Sequence, residues 1–273
     1  MIKSFSLVGT HELKEECLLC ILSIRRLYPD VPILLFTDKI TQDSLDPRTD
    51  NVVFDPFCEP ENLKVLLEQY SSVSVSNRFH RVDCIAAKMH CLRKAIELFG
   101  NTMFVDSDIV FLEKIDDALR SDVVLSPHYH GDNRLGQYDK YGVYNAGYVY
   151  TDNNNAADVW DIIYRERSSF FEQQGMMHFH EYMDTYNFDR THNIGFWRCR
   201  VYYKEFPKHH GPFIEVPDGL FDGAKSLHVH MTKFYEARAD SGLTAVYDQW
   251  MAECDKVIKK EAKGLIETGE KVK

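Results

Sequence analysis

FVDSDIVFL, residues 104–112, places two aspartates, Asp106 and Asp108, directly after the apolar run of residues 102–105. A short apolar run of this kind predicts a buried strand, so both carboxylates lie at a strand end. A buried or half-buried carboxylate needs a partner, and a divalent cation with oxygen ligands is a natural one. Such a cation can in turn hold a diphosphate. The alternative is a solvated turn, because Asp-x-Asp patterns are frequent in acidic proteins.

The chain before this stretch alternates strand-like and helix-like runs. Thr10 is a predicted helix N-cap, and Pro29 and Gly100 are predicted to end two of the helices. Predicted strands cover residues 4–8, 31–36, 51–54 and 102–105, and predicted helices run from Thr10 to Pro29 and over 61–70 and 79–99. This alternation predicts a parallel sheet covered by helices. In such sheets ligands bind outside the carboxyl ends of the strands, where both aspartates fall.

The pattern after residue 125 is less regular and rich in aromatic residues. It predicts a loop over 128–141, strands over 142–151, 197–206 and 226–231, and helices over 155–171 and 243–262.

Lys88 and the run VYNAGYVYTDN, residues 143–153, are candidate site elements on either side of the aspartates. Lys88 lies on the long predicted helix that precedes the 102–105 strand, so its ammonium could neutralise a phosphate or contact a sugar. The alternative interpretation is that Lys88 is a solvated surface lysine. In the second run, Gly147 follows Asn145 and Ala146 inside a strand-like stretch. A glycine there indicates either close approach of a ligand to the backbone or a bulge.

LHVHM, residues 227–231, places His228 and His230 on one face of a predicted strand. Imidazole is a good ligand for Mn²⁺-like and other transition-metal ions. A packed or solvated pair is the alternative reading of such a pattern. Two further His-x-His pairs raise the possibility of a structural zinc site, but no cysteine or glutamate follows at zinc-site spacing.

The chain has 273 residues, a net charge of −10, 44% hydrophobic residues and 27% charged residues, which is the composition of a globular protein. These values exclude disordered, collagen-like and coiled-coil classes. An acidic balance also argues against a nucleic-acid partner. No apolar stretch approaches the ~20 residues that span a bilayer, and no signal-peptide core is evident, so a cytoplasmic protein is expected. Seven scattered cysteines predict buried thiols rather than a disulfide framework.

Taken together, residues 4–232 resemble the GT-A glycosyltransferases, and most closely the glycogenin-like, retaining family. The resemblance implies one α/β domain over residues 1–273 with a Rossmann-like, mostly parallel sheet. Its expected parts are a nucleotide-sugar-binding half (1–125), an acceptor-side half (126–240) and a C-terminal helix and tail (241–273). It also implies transfer of a sugar from a nucleotide-diphosphate donor, UDP by family default, to a hydroxyl acceptor such as a glycan, with retention. Mn²⁺ or Mg²⁺ is the implied cofactor.

The resemblance assigns roles residue by residue. Val8, Gly9 and Thr10 resemble the turn that holds the nucleobase and ribose. Lys88, Asp106, Ser107 and Asp108 are the implied contacts to donor and metal, and Asn145, Ala146 and Gly147 resemble the segment that lines the sugar and acceptor pocket. The implied catalytic residues are Lys88, Asn145 and Asp184, the last from the run EYMDTYN at residues 181–187. The implied metal ligands are Asp106, Asp108 and either His228 or His230, with His228 favoured.

Two departures from the family pattern affect these assignments. Tyr182 and Met183 replace an acid and an amide of the family's DQDxLN-type motif, which leaves Glu181 as an alternative to Asp184. The family's histidine-containing ending is reduced to HVHMTKF.

Two other functions fit parts of the sequence. DSDIV matches the signature of haloacid-dehalogenase-like phosphatases, although there the motif usually follows the first strand of the core. A sugar-nucleotide-binding module without catalysis is the other alternative, since a fold does not dictate a function.

Overall fold

Seven strands form the central sheet of the protein. A computed structural model describes residues 1–45, 51–70, 82–115, 119, 121–130, 142–168, 172–202, 213–230 and 243–267. The strands of this sheet, in chain order, are β1 (Phe5–Val8), β2 (Ile33–Phe36), β3 (Val52–Asp55), β4 (Thr102–Val105), β6 (Val123–Pro127), β7 (Tyr144–Thr151) and β8 (Thr185–Asn187). Their spatial order is β3-β2-β1-β4-β7-β6-β8.

The sheet is mostly parallel. β1 pairs in parallel with β2 and β4, and β2 pairs in parallel with β3, whereas β7 runs antiparallel to both β4 and β6. The strand order reverses direction between β1 and β4, and ligands bind in such sheets outside the carboxyl ends at that point. The predicted α/β class with a mostly parallel sheet is confirmed.

Helices cover both faces of this sheet. They are α1 (Lys14–Leu27), α2 (Lys39–Leu45), α3 (Pro60–Gln69), α4 (Val82–Phe99) and α5 (Ala156–Arg167). Alternate residues of a strand face opposite sides. Thus Leu34 packs in the core that includes α3, α4 and α5, while Ile33 and Leu35 pack in the core that includes α1. This explains why β2 is a continuous apolar run.

A third apolar core lies beside the aspartate-bearing turn. Strand β5 (Ile109–Phe111) pairs antiparallel with β11 (Ser226–His228), and the terminal helix α6 (Leu243–Glu267) packs in this core through residues such as Trp250. β9 (Arg200–Tyr202) and β10 (Phe213–Glu215) form a separate antiparallel pair. None of the described helices is long and apolar enough to cross a membrane.

Several predicted elements differ from the observed ones. Thr10 makes no side-chain capping bond. It precedes a short 3₁₀ turn (His11–Leu13), and Leu13 occupies the N-cap position of α1. The strand predicted over 197–206 contains another 3₁₀ turn (Phe196–Arg198) and only a short strand, β9. Strands β5, β6, β8 and β10 and helix α2 were not predicted. Residues 79–81, 131–141, 169–171, 203–206 and 231 of predicted elements lie outside the described residues.

The six cysteines whose side chains the structure describes are free and buried, as predicted.

His128 follows β6 and supplies a pH-dependent contribution to stability. Its Nδ1 lies 3.1 Å from the Gly142 carbonyl oxygen, and the residue is buried. Burial, and next the neighbouring His130, lower the pKa of His128 from 6.5 to about 3. Between these values the unfolded chain binds a proton that the folded chain does not. Stability from this group is therefore complete above about pH 6.5 and falls with pH below it.

We expect the free energy of unfolding to fall by up to about 1.4 kcal/mol per pH unit below pH ~6.5 because of His128. Urea unfolding at about pH 7 and about pH 5 measures this slope. His128→Asn keeps a donor for Gly142 but has no group that titrates there, so its slope should be shallower. Equal slopes in the two proteins would contradict the assignment.

Candidate functional site

The turn after β4 carries both aspartates to the carboxyl edge of the sheet. The Asp106 amide donates to the Gly147 carbonyl oxygen (2.9 Å), and the Ile109 amide donates to the Asp106 carbonyl oxygen (3.2 Å). The Asp108 carbonyl oxygen accepts from the Val229 amide at 2.8 Å. These bonds tie the turn to β7 on one side and to the segment after β11 on the other.

Asp108 lies between two histidines. Its Oδ1 is 2.9 Å from His228 Nε2, and its Oδ2 is 3.1 Å from His230 Nδ1. The two imidazole rings stack with centroids 4.2 Å apart. β11 ends at His228, and His230 has a φ of 51°, so a left-handed turn brings both rings to the same carboxylate. One ligand atom from each of the three residues lies within 4.8 Å of the other two.

The donor set of this Asp108–His228–His230 cluster suits a divalent transition-metal ion. Burial acts to raise the pKa of Asp108, but His228 and His230 outweigh it and hold that pKa well below its ordinary value. Burial, and next His228, lower the pKa of His230, which favours a neutral ring with a lone pair to donate. An ionised carboxylate with imidazole nitrogens is a ligand set for Mn²⁺-like ions. The two imidazole nitrogens face separate oxygens of Asp108, and one ligand atom from each side chain lies near enough to the others to bind a single ion.

Asp106 belongs to a second cluster, formed with Lys88 and Glu172. Lys88 Nζ lies 2.8 Å from Asp106 Oδ1 and 3.2 Å from Glu172 Oε1. The Lys88 side chain is only 17% exposed, which excludes the solvated surface lysine considered from the sequence. Burial acts to lower the pKa of Lys88, but Asp106 and Glu172 raise it above its ordinary value. Lys88 is therefore a fixed cation beside the aspartate turn.

Gly147 allows Asp106 to approach β7. A Cβ at position 147 would overlap the Asp106 carboxylate and lie 2.9 Å from Asp106 Cβ, closer than real side chains approach. The close approach inferred from a glycine in this strand is therefore present, and the group that approaches is a side chain of the protein.

We expect Gly147→Ala to lower the free energy of unfolding by about 1–3 kcal/mol, because the new methyl group displaces the Asp106 carboxylate from Lys88. Urea unfolding measures the loss. In an Asp106→Ala background the carboxylate is absent, so the same substitution should cost less. An equal penalty in both backgrounds would show that the overlap lies elsewhere.

Asn145 and Ala146 have buried side chains. Asn145 Oδ1 accepts from the Gly147 amide (3.0 Å) and from Asn193 Nδ2 (3.1 Å), and Ala146 packs in the core that includes α4. Ser107 is also buried, and its hydroxyl bonds the Cys17 thiol on α1. Their predicted contacts to donor or acceptor stay predictions.

Val8, Gly9 and Thr10 lie at the carboxyl end of β1, the parallel neighbour of β4. The Gly9 amide donates to the Phe36 carbonyl oxygen at 2.9 Å. The three residues therefore occupy the same sheet edge as the aspartates, on the side where the strand order reverses.

Asp184 is not brought to this edge. Val123, the first residue of β6, lies opposite Thr151 of β7, which lies opposite Thr102 at the start of β4. The Asp184 carbonyl oxygen accepts from the Val123 amide at 3.1 Å. Asp184 is thus level with the amino end of β4, whereas Asp106 follows the carboxyl end of β4. Asp184 is also exposed, and it lies outside the site.

The structure brings a different acid, Glu172, to Lys88. Glu181, the sequence alternative to Asp184, is exposed and pairs instead with His178 (2.6 Å). Glu172 begins the run Glu-Gln-Gln at 172–174, an acid followed by amides like the pattern sought at 181–187. That likeness is the one signal in the sequence for Glu172, and only its contact with Lys88 distinguishes it from other acids.

No protein-family model matches the chain, and no curated protein matches it. Several solved structures of glycosyltransferases match it. Mouse xyloside xylosyltransferase 1 matches with a TM-score of 0.51 at 12% identity, over 85% of this chain and 98% of the other. The galactosyltransferase LgtC, solved with donor and acceptor sugar analogs, matches with a TM-score of 0.54 at 11% identity, over 89% and 96%. The bifunctional glycosyltransferase WbbM matches with a TM-score of 0.50 at 13% identity, over 93% and 51%. The chain therefore shares the GT-A fold of these solved glycosyltransferases.

Proposed function

We propose that the protein is a metal-dependent glycosyltransferase that moves a sugar from a nucleotide-diphosphate donor, a UDP-sugar, to a hydroxyl of a glycan acceptor with retention. The observation that carries the proposal is the Asp108–His228–His230 cluster at the carboxyl edge of the sheet. Its neighbours are the Lys88 cation and, on β1, the predicted nucleoside-binding turn. The GT-A fold of the solved transferases supports the same reaction class.

Asp108, His228 and His230 would hold Mn²⁺ or Mg²⁺, with Asp106 as a further carboxylate ligand. The bound ion supplies Lewis-acid stabilisation of a departing diphosphate. Lys88 adds a fixed positive charge on the Asp106 side, where it stabilises the same developing negative charge. Glu172 also contacts the Lys88 ammonium, at 3.2 Å, and so restricts its position.

In the proposed reaction the bond between the anomeric carbon and the diphosphate oxygen breaks and the acceptor oxygen bonds that carbon. The hydroxyl proton ends on the departing diphosphate. Retention requires either front-face displacement or a covalent intermediate. Val8, Gly9 and Thr10 are proposed to contact the nucleoside, because they share the sheet edge with Asp106.

A thermal-shift panel of nucleotide sugars with Mn²⁺, Mg²⁺ or EDTA tests the proposal. A donor that binds only the folded state raises the melting temperature, and EDTA should abolish that increase. Transfer is then followed with the stabilising donor and a panel of glycans, and the anomeric configuration of the product is read by NMR.

Other outcomes would favour the alternatives. UDP binding with neither hydrolysis nor transfer would indicate a binding module. Hydrolysis of simple phosphate esters, lost in Asp106→Asn and without nucleotide-sugar binding, would indicate a phosphatase.

A further inference from the structure

Asn193 lies beneath the Asp108–His228–His230 cluster. It is fully buried and has a φ of 50°. Its Nδ2 lies 3.1 Å from Ser126 Oγ and 3.1 Å from Asn145 Oδ1, and its Oδ1 lies 3.0 Å from His228 Nδ1. A continuous chain of hydrogen bonds thus joins β7 to the imidazole of His228.

One backbone group fixes the donor-to-acceptor direction of these hydrogen bonds. The Gly147 amide can only donate, so the Asn145 atom 3.0 Å away is the acceptor oxygen. That oxygen must in turn accept from the NH₂ group of Asn193. The remaining Asn193 atom is therefore its oxygen, and it faces His228 Nδ1. An oxygen acceptor at 3.0 Å requires a proton on Nδ1.

We infer that Asn193 is a positioning residue that keeps a proton on Nδ1 of His228, so that Nε2 is the nitrogen available to a metal ion. This inference rests on the metal site of the proposed function. His228 Nε2 lies 2.9 Å from Asp108 Oδ1, so without an ion it donates a proton to that carboxylate, and a bound ion would take the place of this proton. Asn193 therefore directs the metal-binding nitrogen of His228 toward the shared ion position without touching the ion or the substrate.

The left-handed backbone of Asn193 suggests a matched pair of variants. Glycine and aspartate both tolerate a φ of 50°, so neither change should strain the backbone. Asn193→Gly removes the acceptor for His228 Nδ1. Asn193→Asp keeps an oxygen there, and a carboxylate behind a metal-binding histidine keeps the proton on Nδ1. It loses the NH₂ bonds to Ser126 and Asn145, so urea unfolding first establishes that it is folded.

NMR of ¹⁵N-histidine-labelled, metal-free protein reads the tautomer directly, and His228→Gln identifies the His228 signals. We expect a protonated Nδ1 in the native protein and in Asn193→Asp, and loss of that proton signal in Asn193→Gly. A native protein whose His228 lacks a proton on Nδ1 would overturn the inference, even if neither variant folded.

Titration calorimetry with Mn²⁺ alone supplies a second measurement. Asn193→Gly should weaken Mn²⁺ binding by about 10–100-fold, and Asn193→Asp should restore it to within about threefold. Native affinity in a folded Asn193→Gly would also overturn the inference. Absence of sugar transfer by the native protein, with the NMR and Mn²⁺ results as expected, would instead refute the proposed function and leave the role of Asn193 intact.

Discussion

Asp108→Asn should weaken Mn²⁺ binding by at least about 100-fold and lower turnover by about 1,000-fold while the protein remains folded. The Asp108 carboxylate contacts both histidines, at 2.9 and 3.1 Å. An amide of the same shape removes the negative charge and presents an NH₂ group to one of the two rings. The ion then loses a charged ligand, and the departing diphosphate loses the stabilisation that the ion provides.

Calorimetry with Mn²⁺ and single-turnover assays with the donor found by thermal shift measure these two effects. Asp158→Asn is the matched control, because Asp158 is 60% exposed on α5 and pairs with Arg93. It should behave as the native protein in both assays. Turnover and Mn²⁺ affinity near native values in Asp108→Asn would remove the metal from the proposed mechanism.

The sequence predicts the first half of the fold well because its signals there are local. The strand predicted over 102–105 has three apolar residues and ends at Asp106, and the observed β4 has the same bounds, Thr102–Val105. The final turn of α4 ends at Phe99, and Gly100 has a φ of 86°, which a glycine adopts without strain. Periodicity and one residue with unusual backbone freedom are enough for such elements.

One element that escapes prediction, β5, depends on a distant partner. Strand β5 spans only Ile109–Phe111, and its pairing with β11 joins segments more than a hundred residues apart. More than a hundred residues also separate Asp108 from His230. Their contact requires the left-handed backbone of His230, which lies outside the strand.

The site residues that sequence reasoning placed incorrectly or missed have the same cause. The sheet register, which no local pattern encodes, puts Asp184 at the edge opposite Asp106. It is tertiary packing that brings Glu172 to Lys88.

Lys88→Met should lower the free energy of unfolding by about 3–5 kcal/mol, the usual cost of removing one partner from a buried ion cluster. Lys88 lies between Asp106 and Glu172, and its removal leaves two carboxylates facing a space without a cation. Turnover should fall as well, because the departing diphosphate loses a fixed positive charge. Lys94→Met, an exposed change on the same helix, should alter neither quantity.

A double variant separates the two roles of Lys88. Glu172→Gln removes one of the repelling carboxylates, so Lys88→Met/Glu172→Gln should recover part of the lost stability in urea unfolding at about pH 7. It should not recover turnover, since no residue replaces the ammonium beside Asp106. If turnover returned together with stability, Lys88 would act only by supporting the fold; native turnover in Lys88→Met alone would separate it from the reaction entirely. In the double variant the backbone of Asp106 keeps its hydrogen bonds to Gly147 and Ile109, but its carboxylate has lost the Lys88 ammonium.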